Sequence, residues 1–184
     1  MADFARAPDL HWVFGYGSLI WRPGFRFVAS QQALLRGAHR SLCIYSHEHR
    51  GTPEEPGLVF GLRRGGACRG MAFGVDAGDW PDVRAYLQER EQVTGVYREA
   101  TRAIRLADGA AVPALTFMVD ENHVQYAGRL AVDEQLVLVR RGHGHSGANV
   151  DYVLNTVRHL RAMGITDPYL FALADRLEND ARAA

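Results

Sequence analysis

The sequence predicts an α+β domain rather than a doubly wound parallel sheet. Three observations carry this. Strand-like apolar stretches fill roughly the first two thirds of the chain, and turn signals of hairpin type, not helices, join most of them. From residue 132 onward, apolar residues recur at helical spacing instead.

The elements follow in order. Residues 11–14 form a short apolar strand that empties into Gly15-Tyr16-Gly17-Ser18, where two glycines permit backbone angles denied to other residues. A second strand is predicted over 38–46, followed by the polar loop His49-Arg50-Gly51-Thr52-Pro53 and a Pro56-Gly57 turn signal. Segments 58–62 and 70–75 flank Arg63-Arg64-Gly65-Gly66, which reads as a hairpin turn. Asp79 can cap a helix that starts with Trp80 and Pro81, buries Val83 and Leu87, and reaches about Gln92. Strands at 101–106 and 114–119 lie either side of the hairpin signal Asp108-Gly109. A helix over 132–141 ends in the glycine-broken run 143–147, and the next places Val150, Val153, Leu154, Val157 and Leu160 on one face before Gly164 stops it. Asp167-Pro168 opens a last helix with Leu170, Leu173, Ala174 and Leu177 inward.

At 184 residues the chain fits one domain spanning 1–184, with loose ends expected at 1–10 and 179–184. A content of 47% hydrophobic and 23% charged residues is that of a folded globular chain and excludes a disordered one. The formal net charge is zero, so no overall field is available to hold a phosphate backbone, and nucleic acid is not an expected partner. All basic side chains are arginine, which reads as coding bias. No stretch approaches the ~20 apolar residues of a membrane span, so no membrane partner is expected and the cytoplasm is the expected compartment. There Cys43 and Cys68, without CxxC spacing, read as two free buried thiols.

Among chemical motifs, the amides of Tyr16-Gly17-Ser18-Leu19-Ile20 can converge on a carboxylate or an oxyanion. The same residues also suit a plain glycine turn with Tyr16 and Leu19 in the core; the run lacks the spacing and Lys-Ser/Thr pair of a P-loop. The apolar face of the helix ending Gln88-Glu89-Arg90-Glu91 projects onto Glu91 rather than Glu89. Glu91 is then either paired with Arg90, Arg98 or Arg50, or desolvated with a raised pKa and competent as a general base. His47-Glu48-His49 and His143-Gly144-His145 invite a metal reading, but no HExxH or cysteine-bearing signature accompanies them, and no metal is expected. Neither Ser18 nor Ser146 sits on a nucleophile elbow.

Residues 13–23, Val-Phe-Gly-Tyr-Gly-Ser-Leu-Ile-Trp-Arg-Pro, resemble the opening signature of the ChaC family of γ-glutamylcyclotransferases. Further matches recur in order: His49 to Pro53 with Pro56-Gly57, Arg69 to Phe73, Arg90-Glu91 with Thr94 to Tyr97, Asn122 to Gly128, and Gly147 to Asn149 with Asp151-Tyr152. The resemblance covers residues 12 to 175, nearly the whole chain, with Val124 and Gln92 as departures that remove no functional group. It implies a small mixed β-barrel with flanking helices, no metal, no organic cofactor, and a glycine loop at the pocket mouth. It also implies Glu91 as the catalytic residue, with Tyr16, Gly17, Ser18, Leu19, Arg50, Gly51 and Tyr126 as substrate contacts.

The implied reaction is cleavage of a γ-glutamyl amide such as glutathione, a small-molecule substrate, into 5-oxoproline and cysteinylglycine. The substrate's own α-amine closes the ring, so the protein needs shape and a base rather than a nucleophile. Two alternatives stay open: the same ring closure on another γ-glutamyl amine or acyl carrier, and a non-catalytic γ-glutamyl-binding module, which would not need the inward acid. A monomer or weak dimer is expected.

Overall fold

The computed structural model describes residues 10–91 and 94–183. Strands β1 (His11–Gly15), β2 (Ala29–Ser46), β3 (Gly57–Val75), β4 (Tyr97–Leu106) and β5 (Ala111–Val119) close a barrel in the order β1-β3-β2-β4-β5. The barrel is mixed. β1 runs parallel to β5 at Trp12↔Ala114 and Val13↔Leu115, closing the ring, whereas β1–β3, β2–β3, β2–β4 and β4–β5 are antiparallel. Helix α1 (Trp80–Glu91) links β3 to β4, while α2 (Val132–Arg141), α3 (Asn149–Ala162) and α4 (Pro168–Ala183) follow the barrel. A two-residue ribbon, β6 (His143–Gly144) with β7 (Gly147–Ala148), joins α2 to α3. The α+β expectation and the small barrel with flanking helices are both met.

Two strand predictions are corrected. β2 begins at Ala29 rather than at residue 38, and β3 runs unbroken from Gly57 to Val75, so Arg63-Arg64-Gly65-Gly66 is no hairpin turn. Its two glycines form a bulge. Arg36 pairs with Ala67 and Ala38 with Arg64, leaving Gly65 and Gly66 opposite the single Gly37. All three have positive φ, at 92°, 68° and 81°, angles that only glycine adopts freely, and they bend one long ribbon around the barrel. A glycine pair can make a turn or a bulge, and only the partner strand decides which.

Smaller shifts also occur. β5 begins at Ala111, ahead of the predicted 114, because Asp108 and Gly109 close a tight turn in which the Leu106 N–H donates to the Ala110 carbonyl (2.8 Å). Gly15 has no positive φ. It is glycine because a Cβ there would lie 3.0 Å from Leu19 Cβ and 3.2 Å from the Phe73 ring, so the constraint is space rather than backbone angle. α1 is described to Glu91; the predicted Gln92 end lies outside the described residues, as does the start of the chain before Leu10. α4 carries helical backbone to Ala183, past the predicted loosening at 179.

Phe14, Leu35, Leu42, Leu58, Phe60, Leu62 and Ile104 fill a core to which α2, α3 and α4 add Leu136, Val139, Val153, Val157, Leu160, Leu170 and Leu173. α1 lays Val83 and Leu87 on a second cluster with Val13, Phe73, Leu115 and Phe117. That packing sets which way Glu91 points. Both cysteines are buried free thiols, and burial pushes Cys43 up to about 11. No described helix is long and apolar enough to cross a membrane.

Candidate active site

Beyond β1 the chain turns at Gly17 into a single 3-10 turn, Ser18–Ile20. This loop reaches the end of α1 and the side of α3. A Cβ on Gly17 would meet Tyr152 Oη at 3.4 Å and Phe60 Cβ at 3.6 Å, ordinary contact distances. Between these elements lies a cleft of about 560 Å³ that continues into an inner recess of about 30 Å³; Ser18, Glu91, Tyr97 and Tyr152 line both. Tyr16, Gly17 and Leu19 wall the recess. Tyr16 and Leu19 are also core residues, at 5% and 4% exposure, so the two readings of the glycine loop describe the same residues.

Glu91 faces inward as the helical projection requires, while Glu89 is exposed. Desolvation raises the Glu91 pKa above the usual carboxylate value, and the charge of Arg90 opposes it. Arg90 Nε sits 3.2 Å from Glu91 Oε1, so pairing and desolvation, offered as alternatives by the sequence, coexist. The other two candidate cations are engaged elsewhere. Arg98 pairs with Asp120 at 2.6 Å, and Arg50 donates to the carbonyls of Ser146 (2.5 Å) and Ala148 (3.2 Å) while lying over the Tyr152 ring.

Arg90 does more than pair. Its guanidinium donates to Ser18 Oγ (3.0 Å) and to the carbonyls of Arg22 (2.7 Å) and Pro23 (3.0 Å), fixing the glycine loop to the helix that carries Glu91. Sequence reasoning missed this role. Its position beside Glu91 in the matched motif was the available signal.

Three tyrosines, Tyr16 and Tyr152 buried and Tyr97 partly so, surround the carboxylate, and desolvation raises the pKa of each, so all stay neutral phenols. Tyr16 donates to the Phe117 carbonyl (2.9 Å) and Tyr97 to the Phe60 carbonyl (2.7 Å). Tyr152 differs: its hydroxyl accepts from the Phe60 N–H (3.1 Å) and donates to no described group, leaving a proton to offer at the recess. Tyr97 and Tyr152 stood inside quoted motifs but were not singled out as site residues.

The outer wall is built by two loops far apart in sequence. The His145 N–H donates to the Glu48 carbonyl (2.9 Å) and the Ser146 N–H to that of His49 (3.0 Å), bringing the His49 and His145 rings to 4.5 Å. Burial, then the neighbouring His145, lowers the His49 pKa. Among the described residues no three His, Cys, Asp or Glu side chains are grouped to hold a metal.

Two predicted contacts do not line the cleft. Tyr126 hydrogen-bonds Glu121 (3.3 Å) and stacks under Arg63. Gly51 is buried backbone: a Cβ there would lie 2.1 Å from Gly57 N and 2.6 Å from the Ser46 carbonyl. Gly51→Ala is therefore expected to destabilise the fold by about 1–3 kcal/mol, seen as a lowered Tm. An unchanged Tm would show that this loop is slack.

The model of the ChaC-like protein family matches residues 11–180. The chain is 31% identical over 156 residues to the glutathione-specific γ-glutamylcyclotransferase of Escherichia coli (strain K12), covering 85% of this chain and 68% of that protein. It is 32% identical over 179 residues to glutathione-specific γ-glutamylcyclotransferase 1 of Danio rerio, covering 93% and 90% of the two. Among solved structures, a glutathione-specific γ-glutamyl cyclotransferase from yeast superposes with a TM-score of 0.85 at 22% identity, covering 92% of this chain and 96% of that one. Another γ-glutamyl cyclotransferase gives 0.56 at 11%, covering 90% and 86%. These two structures share the fold.

Proposed function

The chain belongs to the ChaC-like protein family, and from that premise we propose that it cleaves glutathione into 5-oxoproline and cysteinylglycine, without metal or organic cofactor, as a cytoplasmic monomer or weak dimer. The observation that carries the reaction is a desolvated carboxylate, Glu91, facing a recess walled by the glycine loop.

In the reaction the substrate α-nitrogen bonds to its own γ-carbonyl carbon, and the bond from that carbon to the cysteinyl nitrogen breaks. Folding the glutamyl chain into contact, nitrogen to carbon at ~3–3.5 Å, is where effective molarities of ~10⁵–10⁸ M arise. Glu91 takes a proton from the α-ammonium as general base and gives one to the departing nitrogen as general acid; over the whole reaction the α-nitrogen loses two protons and the departing nitrogen, leaving as an ammonium, gains two, and no water is consumed. Main-chain N–H groups of Gly17, Ser18 and Leu19 hold the α-carboxylate or polarise the γ-carbonyl. The spare Tyr152 proton is suited to the same carbonyl oxygen. Arg22 and Arg50, on the wider cleft, suit the carboxylate at the far end of the leaving group.

The direct test is incubation with glutathione and mass-spectrometric analysis of the products. 5-Oxoproline with cysteinylglycine is expected, and free glutamate would mean hydrolysis instead. Turnover of γ-glutamyl-alanine equal to or better than that of glutathione would overturn the substrate preference. Activity is expected to survive exhaustive EDTA treatment, and loss to chelator with recovery on zinc would reinstate the histidines as ligands. Because the base form of Glu91 exists above a raised pKa, kcat should fall on acidification with a midpoint above the ordinary glutamate value of 4.5. A midpoint at or below that value would remove Glu91 as the titrating base.

A further inference from the structure

A second cleft, of about 670 Å³, lies apart from the one described and shares no lining residue with it. Its ionisable wall is one-sided: Arg40, Arg63, Arg69 and Arg129, with His39, face a single carboxylate, Asp167. In a chain of zero net charge this is a local concentration of positive charge.

The internal partners of these arginines leave cationic capacity over. Arg40, its side chain 3% exposed, spends its donors on the Tyr16 carbonyl, the Arg69 carbonyl (2.7 Å) and Asp167 (3.4 Å). Asp167, which also accepts from the Leu170 N–H at the start of α4 (3.2 Å), carries one charge and pairs with Arg40, so it does not neutralise the rest. Arg63 has Glu121 at 3.7 Å, yet its Nε is buried without a hydrogen-bond partner among the described residues. That guanidinium also lies over the Tyr126 ring, so Arg63 adds positive charge behind the cleft wall rather than an open donor. Arg69 and Arg129 are exposed, and no carboxylate pairs with either among the described residues. Ser41 and Thr166 add hydroxyls, and Leu130 and Ile165 an apolar floor.

We propose that this cleft binds a small organic polyanion bearing phosphate or several carboxylates, held by Arg69 and Arg129 over the positive charge of Arg40 and Arg63. Guanidinium forks match both oxyanion types in bidentate geometry, and the cleft volume is that of a metabolite site rather than a macromolecular one. The site is independent of the reaction proposed above and is tested without it.

The test follows binding of pyrophosphate and of citrate by calorimetry and by thermal shift, at ionic strength held constant with NaCl. Arg69→Ala/Arg129→Ala removes two rim cations; Arg102→Ala/Arg105→Ala, on exposed β4 positions outside the cleft, makes the same change in net charge. Wild type and the β4 variant are expected to show one saturable site, with Tm raised roughly 3–6 °C at about ten times Kd. The rim variant should bind at least ~10-fold more weakly, the loss of about 1.4 kcal/mol expected when charge-assisted contacts go. Tighter pyrophosphate identifies a phosphate ligand and tighter citrate a polycarboxylate. The proposal is overturned if neither probe saturates, if the rim variant binds as wild type does, or if the β4 variant loses as much affinity as the rim variant.

Discussion

Glu91→Gln is expected to lower kcat for glutathione cleavage by at least about 10²-fold while leaving Kd for glutathione little changed. Glutamine keeps the size of the side chain and can still accept from Arg90, but it cannot take a proton from an ammonium group; general acid–base groups typically contribute ~10²–10⁴-fold. The same substitution makes a second, opposite expectation about stability. The folded-state pKa of Glu91 is raised, so burial favours its neutral form; that contribution is full below the unfolded pKa and is lost as pH rises through the folded one. At pH 7 to 8 the variant should thus be as stable as wild type or more so, the difference shrinking on acidification. Glu89→Gln, on an exposed position two residues away, is the control and should be nearly silent in both measurements. Equal losses of activity in both variants, with matched losses of Tm, would reduce Glu91 to a structural ion-pair residue. A folded, fully active Glu91→Gln would mean the base lies elsewhere in the cleft.

Asn149→Leu should produce a large loss of stability outside the recess. Asn149 is fully buried at the start of α3, and its amide bonds both main-chain groups of Leu58: the Leu58 N–H donates to Oδ1 and Nδ2 donates to the Leu58 carbonyl, each at 2.7 Å. Leucine fills nearly the same volume but leaves a buried donor and a buried acceptor unmatched, at about 1–3 kcal/mol each. For a chain of this size the corresponding fall in Tm is roughly 4–24 °C. Thermal unfolding followed by circular dichroism measures it, and a fall under about 2 °C would mean that water or a local shift satisfies Leu58. The stake is functional as well, because this contact fixes α3 to β3 and Tyr152 follows one helical turn later.

Much of the site could be read before any coordinates. The inward turn of Glu91 followed from Val83 and Leu87 four residues apart, since a helix repeats its buried face at that interval. The glycine loop announced itself as a strand running into Gly15 and Gly17. What could not be read was the far wall. His49 and His145 stand 4.5 Å apart across a sequence separation that no periodicity spans, joined by main-chain hydrogen bonds that carry no side-chain signature. Tyr126 and Gly51 were assigned by motif, and motifs carry no distances: Tyr126 stacks under Arg63 and Gly51 packs against Gly57.

By itself the sequence determined what depends on near neighbours along the chain: the helical faces of α1, α3 and α4, the Asp108-Gly109 turn, the neutral charge and the ordered family motifs. Tertiary structure alone decided what depends on which distant segment lies opposite. It made Gly65-Gly66 a bulge rather than a turn, because β2 supplied Gly37 as the facing residue. It also left the Tyr152 proton without an acceptor among the described residues, because Phe60 presents its N–H to that hydroxyl and its carbonyl to Tyr97. A hydrogen-bond donor is spent or spare according to the groups around it, and those groups are assembled only when the barrel closes.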